Sequence, residues 1–251
     1  MTAIARLTRA ELRKLITTRT ALITLAIAIA LSVISVVVAA ANAGQHGTPA
    51  LGTDGGTYEM LKVGVVSCMA MIVLGIIAAG GEYRHKTIIQ AMLITPSRAA
   101  LVAAKAIAIA IAGVVLAGLT FGVSLATAVG ELYAHGVHHL PSGTAGLFAA
   151  SVAAAVLFGL IGVALGYITR STVAAVVGAV GWVLFVEFAI LHTLAPHLAK
   201  WLIIGSALAL TSPPAHGSAT LTPIAAVAVL GAYTIALLAV ATGSVLRRDV
   251  A

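Results

Sequence analysis

Long stretches with almost no charge constrain the fold of this chain more than any other feature. Ala21 to Ala41 is an uncharged, mostly apolar run of 21 residues, close to the ~20 that an α-helix needs to cross a bilayer. Apolar residues make up 61% of the 251-residue chain and charged residues only 8%, which argues against a soluble domain. The pattern predicts an all-α polytopic membrane protein with six transmembrane helices.

The chain forms a single predicted transmembrane domain, 1–251, whose parts follow from the apolar runs. The predicted spans are 21–42, 59–80, 99–130, 146–169, 172–192 and 223–246. Residues 1–20 are predicted to form an amphipathic interfacial helix, with Ile4, Leu7, Leu12, Leu15 and Ile16 on one side and Arg6, Arg9 and Arg13 on the other. The apolar run 201–210 is too short to cross, so 196–212 is predicted to be an external re-entrant or surface helix.

The positions of the basic residues orient these spans. With six crossings, twelve Lys and Arg residues fall on one side of the membrane and only Lys62 and Lys200 on the other. Because cytoplasmic segments are enriched in Lys and Arg, we expect both termini in the cytoplasm. The formal charge of +7 therefore belongs to membrane topology, and no basic patch with interleaved aromatic residues indicates nucleic-acid binding.

A charged segment, 81–98, interrupts the apolar pattern between the second and third spans. It contains Glu82-Tyr83-Arg84-His85-Lys86-Thr87 and closes on Pro96-Ser97-Arg98, with Lys105 just beyond. Thr87 is predicted to lead a short amphipathic helix that Pro96 ends. We expect the charged side chains of this segment, and Lys105, to sit in water and face a partner.

The same segment comes within one residue of a phosphate-binding loop. Gly80 to Thr87 matches Gly-x-x-x-x-Gly-Lys-Thr except that His85 stands at the second glycine position. Such a loop needs glycine where its amides wrap phosphate, and it needs a preceding β-strand. Nucleotide binding by this chain is therefore not predicted.

The Gly pair, the acidic-aromatic-basic cluster, Thr87 and the Pro-Ser-Arg sequence together resemble the ABC-2 type permease family, the membrane subunits of ATP-binding-cassette exporters. The resemblance implies that 81–98 is a cytoplasmic coupling segment that contacts an ATPase through Glu82, Tyr83 and Arg84, with His85, Lys86, Thr87, Pro96 and Arg98 assisting. It also implies a bacterial plasma-membrane location and a homodimer or pseudo-dimer of permeases with two copies of a separate ATPase, which would hold Mg-ATP.

The expected function is a permease subunit whose two copies form a path for an amphipathic or hydrophobic substrate, as in multidrug efflux. No cofactor is expected in this chain. It has no His-Glu-x-x-His, Gly-x-Ser-x-Gly or paired carboxylates, so no catalytic residue and no enzymatic activity are predicted.

Glu187 is the one carboxylate placed well inside a predicted span, and an intramembrane acid is a functional candidate by default. Together with Trp182, Pro196 and Trp201-Leu202, it is similar to an element of actinobacterial members of the permease family. A gate, a loop anchor and a structurally neutral role stay open. Glu187 also supports an alternative function, a proton-coupled secondary transporter, and a third alternative is a non-transporting membrane anchor for an ATPase.

Two further patterns carry weaker hypotheses. His135, His138 and His139 lie close enough in sequence to suggest a metal site, but Gly136 and Pro141 favour a solvated loop, which could also respond to pH. Glycine pairs in three predicted spans suggest close helix packing; they are Gly118 and Gly122, Gly162 and Gly166, and Gly178 and Gly181.

Overall fold

The computed structural model describes residues 3–45, 47–62, 64–85, 87, 97–138, 143–187, 196–211 and 221–247. These residues are almost all helical, and they contain no β-strand. The helices, in chain order, are α1 (Ala3–Thr17), α2 (Arg19–Asn42), α3 (Asp54–Met60), α4 (Gly64–Arg84), α5 (Arg98–Ala134), α6 (Thr144–Thr169), α7 (Thr172–Gly181), α8 (Pro196–Ala199), α9 (Ile203–Thr211) and α10 (Pro223–Arg247). The all-α prediction is confirmed.

Five segments of the described chain are long and apolar enough to cross a membrane. They are Arg19–Asn42, Asp54–Arg84 (α3 and α4), Arg98–Ala134, Thr144–Thr169 and Pro223–Leu246. The predicted fifth span corresponds to α7 and a π-helical turn, Trp182–Glu187, which together are shorter, and residues 188–192 lie outside the described part. The count of six spans therefore stays a prediction.

Helices α4 and α6 form the centre of the bundle, and glycines explain how closely they approach. A Cβ atom at Gly162 would lie 2.3 Å from the Ile72 carbonyl oxygen, and one at Gly75 would lie 2.2 Å from the Gly159 carbonyl oxygen. Only glycine permits such backbone contact. The packing prediction is confirmed for Gly162 and for Gly166, whose Cβ would lie 2.8 Å from that of Ala79.

Four glycines on α5 and α7 make no such close contact within the described chain, so for them the packing hypothesis stays a prediction. A Cβ atom added at Gly118, Gly122, Gly178 or Gly181 would have nothing within 4 Å among the described residues.

Helices α2 and α10 each expose a row of apolar side chains. Ile23, Ile27 and Ile34 of α2 and Ile235 of α10 are each more than half exposed. Such apolar surfaces are unfavourable in water and favourable in lipid.

The bundle has two ends, which we call inner and outer. The inner end holds α1, the start of α5 and the C-terminal ends of α4, α6 and α10. The opposite end is the outer end.

Candidate functional site: an inner charge cluster and an outer anchor

Four charged side chains from three helices meet at the inner end, and we call them the inner cluster: Glu11, Lys14, Glu82 and Lys105. Lys105 donates to Glu11 Oε2 and, at 2.9 Å, to Glu82 Oε1. Lys14 donates to Glu11 Oε1 at 2.5 Å and to Glu82 Oε1 at 3.2 Å. The four ion pairs close a ring of alternating sign with no net charge.

The burial of these groups makes the pairing energetically important. Glu11, Glu82 and Lys105 are 6%, 7% and 2% exposed, whereas the Lys14 side chain is about half exposed. A buried ion that loses its partner costs roughly 3–5 kcal/mol. The cluster therefore ties α1, the end of α4 and the start of α5 into one unit.

Helix dipoles do not explain where the charges sit. Glu82 lies in the last turn of α4, and Lys105 lies two turns inside the N-terminus of α5. A carboxylate is favoured at a helix N-terminus and a cation at a C-terminus, so Glu82 lies at the unfavourable end of its helix, and Lys105 lies too far inside its helix for the dipole to matter. Their stabilisation comes from each other and from Glu11 and Lys14.

The expectation that the charged segment and Lys105 sit in water is wrong for Glu82 and Lys105. Both side chains point into the chain and pair there. The physical reason is that α1 supplies a second carboxylate, Glu11, and a second cation, Lys14, which together neutralise the buried pair. The predicted contact of Glu82 with an ATPase stays a prediction.

Glu11 is the member of the cluster that sequence reasoning missed. It lies four residues after Leu7 and four before Leu15, so it falls on the apolar half of α1. Among the described side chains of this helix only Thr8 and Glu11 are fully buried. An acid centred on the apolar face of a predicted surface helix is the signal that could have identified it.

The two cluster residues of α1 have shifted pKa values. Burial alone would raise the pKa of Glu11, but the ion pairs and hydrogen bonds with Lys105 and Lys14 outweigh it and lower the pKa. Burial alone would lower the pKa of Lys14, but Glu11 and Glu82 outweigh it and raise the pKa. Both groups are held in their charged forms at neutral pH.

An aromatic and basic layer surrounds the cluster. The Tyr83 and Tyr167 rings meet edge to face with centroids 6.3 Å apart, and the Arg170 guanidinium lies 5.6 Å from the centre of the Tyr83 ring. A cation over an aromatic face is attracted by the ring quadrupole. The turn between α6 and α7, which carries Arg170, thereby contacts the end of α4.

Other predicted coupling residues are exposed, partly buried or outside the described part. Arg84, His85 and Thr87 are exposed, and Tyr83 and Arg98 are partly buried. Lys86 and Pro96 lie outside the described residues, as does the predicted amphipathic helix from Ile88 onward. Gly80 to Arg84 form the last turn of α4, a helical geometry that differs from a phosphate-binding loop.

A second buried carboxylate, Glu187, lies at the outer end. Its Oε1 accepts a hydrogen bond from Trp182 Nε1 at 3.0 Å, and its Oε2 accepts one from the Ile204 amide at 2.7 Å. Ile204 belongs to the first turn of α9, where backbone amides lack helical partners. We call Trp182, Glu187 and the Ile204 amide the outer anchor, since Glu187 joins the fifth predicted span to α9.

The π-helical turn makes this contact possible. Trp182 and Glu187 are five residues apart, a spacing that lies near one face in a π-helix but on different faces in an α-helix. The widened turn therefore places the indole N–H beside the carboxylate. Trp201 is about half exposed, with the Lys200 ammonium 5.9 Å from its ring, and it is not among the groups that donate to Glu187. The side chain of Pro196 lies outside the described part.

The histidine hypothesis gains no support from the described residues. His135 Nδ1 lies 2.8 Å from the Glu131 carbonyl oxygen, and the His138 ring packs against Tyr133. Within the described ranges, no three His, Cys, Asp or Glu side chains could hold one metal ion. His139 lies outside those ranges.

Long apolar helices, lipid-compatible outer faces and a buried ionic junction at one end define a multi-pass α-helical membrane protein. Residues 7–181 match the family model described as "ABC-2 family transporter protein", which covers more than half of the chain. The chain therefore belongs to the ABC-2 family and is the membrane component of an ABC transporter, a kind of protein that associates with an ABC ATPase. A search of the curated proteins found no match.

Proposed function

We propose that this chain is the permease subunit of an ABC exporter. Two copies would form the translocation path, and two separate ATPase subunits would bind Mg-ATP and supply the work. The mostly apolar walls of the spans favour an amphipathic or hydrophobic substrate, as in multidrug efflux. The bacterial plasma membrane and cytoplasmic termini follow from the same proposal and from the distribution of Lys and Arg.

The inner cluster is the observation that carries the mechanism. A force applied to the exposed residues Arg84 and His85 would reach Glu82 within one helical turn, and Thr87 donates a hydrogen bond to the Glu82 carbonyl oxygen at 3.4 Å. Glu82 is bound to Lys105 and Lys14, so the same force would move α1 and α5 with α4. In this mechanism Glu82 transmits force inside the permease, and Arg84 makes the direct contact with the ATPase.

Charge reversal at Arg84 tests the proposal. The tagged permease would be purified in detergent from its native membranes, and copurified nucleotide hydrolysis would be measured with mass-spectrometric identification of the partner. Arg84→Glu is expected to lower the bound ATPase at least tenfold, because it reverses an exposed charge at the contact. Lys62→Glu, a charge reversal on the predicted external side, is the matched control.

Equal loss of ATPase in Arg84→Glu and Lys62→Glu would contradict the proposed contact. A purified protein that moves its substrate with no nucleotide-hydrolysing subunit would contradict the exporter itself. Retained ATPase binding without transport of any substrate would favour the alternative of a membrane anchor.

We also propose that Glu187 anchors the external helix α9. Both of its carboxylate oxygens already accept N–H hydrogen bonds, an arrangement that suits a structural carboxylate. The alternative, proton-coupled transport through Glu187, predicts that Glu187→Gln abolishes the pH dependence of transport in vesicles while ATP has no effect. The anchor role predicts that ATP-driven transport in Glu187→Gln keeps the wild-type pH dependence.

A further inference from the structure

Two arginines from different connections bind the inner end of α10. Arg98 Nη1 donates to the Val245 carbonyl oxygen at 3.2 Å, and Arg170 Nη2 donates to the Ser244 carbonyl oxygen at 3.3 Å. The described part of α10 runs to Arg247, so both carbonyls belong to the last described turn of this helix. The two guanidinium groups therefore bind adjacent main-chain carbonyls of α10.

The backbone at Arg170 indicates that its side chain matters. Arg170 has φ 55° and ψ 15°, and it is the one non-glycine residue with positive φ among the described residues. This left-handed conformation costs energy for arginine and almost none for glycine. Arginine at this turn therefore carries a backbone cost that glycine would avoid, and its guanidinium makes contacts that glycine could not make.

The same guanidinium also contacts the coupling segment. It lies over the Tyr83 ring at 5.6 Å, and Tyr83 stands between Glu82 and Arg84. Arg98 is the last residue of the coupling segment and the first residue of α5. Both ends of that segment are therefore connected to the inner end of α10, one through Arg170 and one through Arg98.

We propose that Arg170 is a positioning residue that transmits movement of the coupling segment to α10, with Arg98 as its second contact. The proposal rests on the proposed function, in which an ATPase moves the coupling segment. Arg170 itself contacts neither nucleotide nor substrate in this mechanism. Its work is to make the inner end of α10 follow Tyr83.

The test measures movement of α10 in the permease with its copurified ATPase. Spin labels are placed on cysteines at Ile224, at the outer end of α10, and at Val38 of α2, both exposed, in a Cys68→Ala background. Electron–electron distance measurements compare the nucleotide-free state with the state trapped by ATP and vanadate. The wild-type distance distribution is expected to shift between the two states.

Arg170→Gly is the critical variant, because glycine suits the left-handed turn and the loss of the side chain adds no backbone strain. It is expected to keep the ATPase bound and to lose at least half of the distance shift. Arg170→Gln, which keeps an N–H donor but not the charge, is a second variant with the same expectation. Arg170→Lys is expected to restore part of the shift through its charge.

A full wild-type shift in Arg170→Gly or Arg170→Gln would overturn the inference while leaving the proposed function intact. Absence of a bound ATPase, or of any nucleotide-dependent shift, in the wild-type protein would instead contradict the proposed function and the inference with it. A general packing defect is distinguished by the thermal midpoint of the complex: loss of the shift with an unchanged midpoint supports transmission, and loss only in proportion to a lowered midpoint contradicts it.

Discussion

The inner cluster and the outer anchor each bury a glutamate, but they stabilise it in different ways. Glu82 accepts from two lysines in a closed ring of ions. Glu187 accepts from an indole N–H and a helix amide, and among the described residues it forms no salt bridge. Removing one charged residue of the inner cluster leaves a buried ion without its partner, which costs much free energy of unfolding. Removing Glu187 from the outer anchor leaves only neutral N–H groups unpaired, which costs less.

This difference suits the proposed roles of the two ends. The inner end would receive force and pass it to three helices, so its groups must stay joined. The outer end would hold one short helix against one predicted span, and a weaker contact can open there with less cost. Substitutions in the inner cluster should therefore lower the free energy of unfolding more than substitutions in the outer anchor.

Removal of Lys105 should have the largest effect. Lys105→Met leaves Glu11 and Glu82 buried with only the half-exposed Lys14 between them. We expect a loss of about 3–5 kcal/mol in the free energy of unfolding, measured by denaturation in detergent. Lys62→Met, which breaks the more exposed pair with Glu59, should lose less than about 1 kcal/mol.

A double variant sharpens this result. Glu82→Gln in the Lys105→Met background removes one of the stranded carboxylates, so it should recover part of the lost stability. If Lys105→Met and Lys62→Met lost equal stability, the inner cluster would not act as an ionic junction.

Removal of the outer carboxylate should have an intermediate effect. Glu187→Ala leaves two N–H groups without their acceptor but strands no cation, so we expect a loss of about 1–3 kcal/mol. Hydrogen exchange at the Ile204 amide should accelerate, because its acceptor is gone. Slow exchange in this variant would show that α9 does not depend on Glu187.

A smaller effect is expected from Trp182→Phe, which keeps an aromatic ring and removes one N–H donor. The expected loss is about 0.5–1.5 kcal/mol, with exchange at the Ile204 amide nearly unchanged because Glu187 still accepts from it. Trp201→Phe, at an exposed position outside the anchor, is the matched control. A larger loss of stability in Trp201→Phe than in Trp182→Phe would show that the Trp182 hydrogen bond does not stabilise the outer anchor.

The smallest effect is expected from pH in the neutral range. Since the pKa of Glu11 is lowered, its stabilisation is complete above the ordinary glutamate pKa of about 4.3 and is lost as pH falls through the lowered value. Since the pKa of Lys14 is raised, its stabilisation is complete below about 10.4 and is lost as pH rises further. The difference in thermal midpoint between wild type and Glu11→Gln should therefore stay constant from about pH 6 to 9. A difference that changed steadily across that range would contradict the assignment.

The sequence was sufficient for the membrane class and the family, because apolar run length and local motifs decide them. The inner cluster was not predictable in full, since Lys105 joins Glu11 across 94 positions and such pairing depends on tertiary packing. The expectation that charged side chains lie in water was wrong at Glu82 because its partners come from other helices. The contact between Trp182 and Glu187 depends on a π-helical turn, which the periodicity of an α-helix does not anticipate.

The glycine contacts between α4 and α6 have a mechanical consequence. With Gly75 and Gly162 in direct contact with the opposite main chain, neither rod can slide along the other by a full turn without steric collision. We therefore expect α4 and α6 to tilt as one unit. A force on α4 at Arg84 would then also displace Arg170 at the C-terminal end of α6. Replacing a single hydrogen atom by a methyl group at Gly162 would wedge this pair apart.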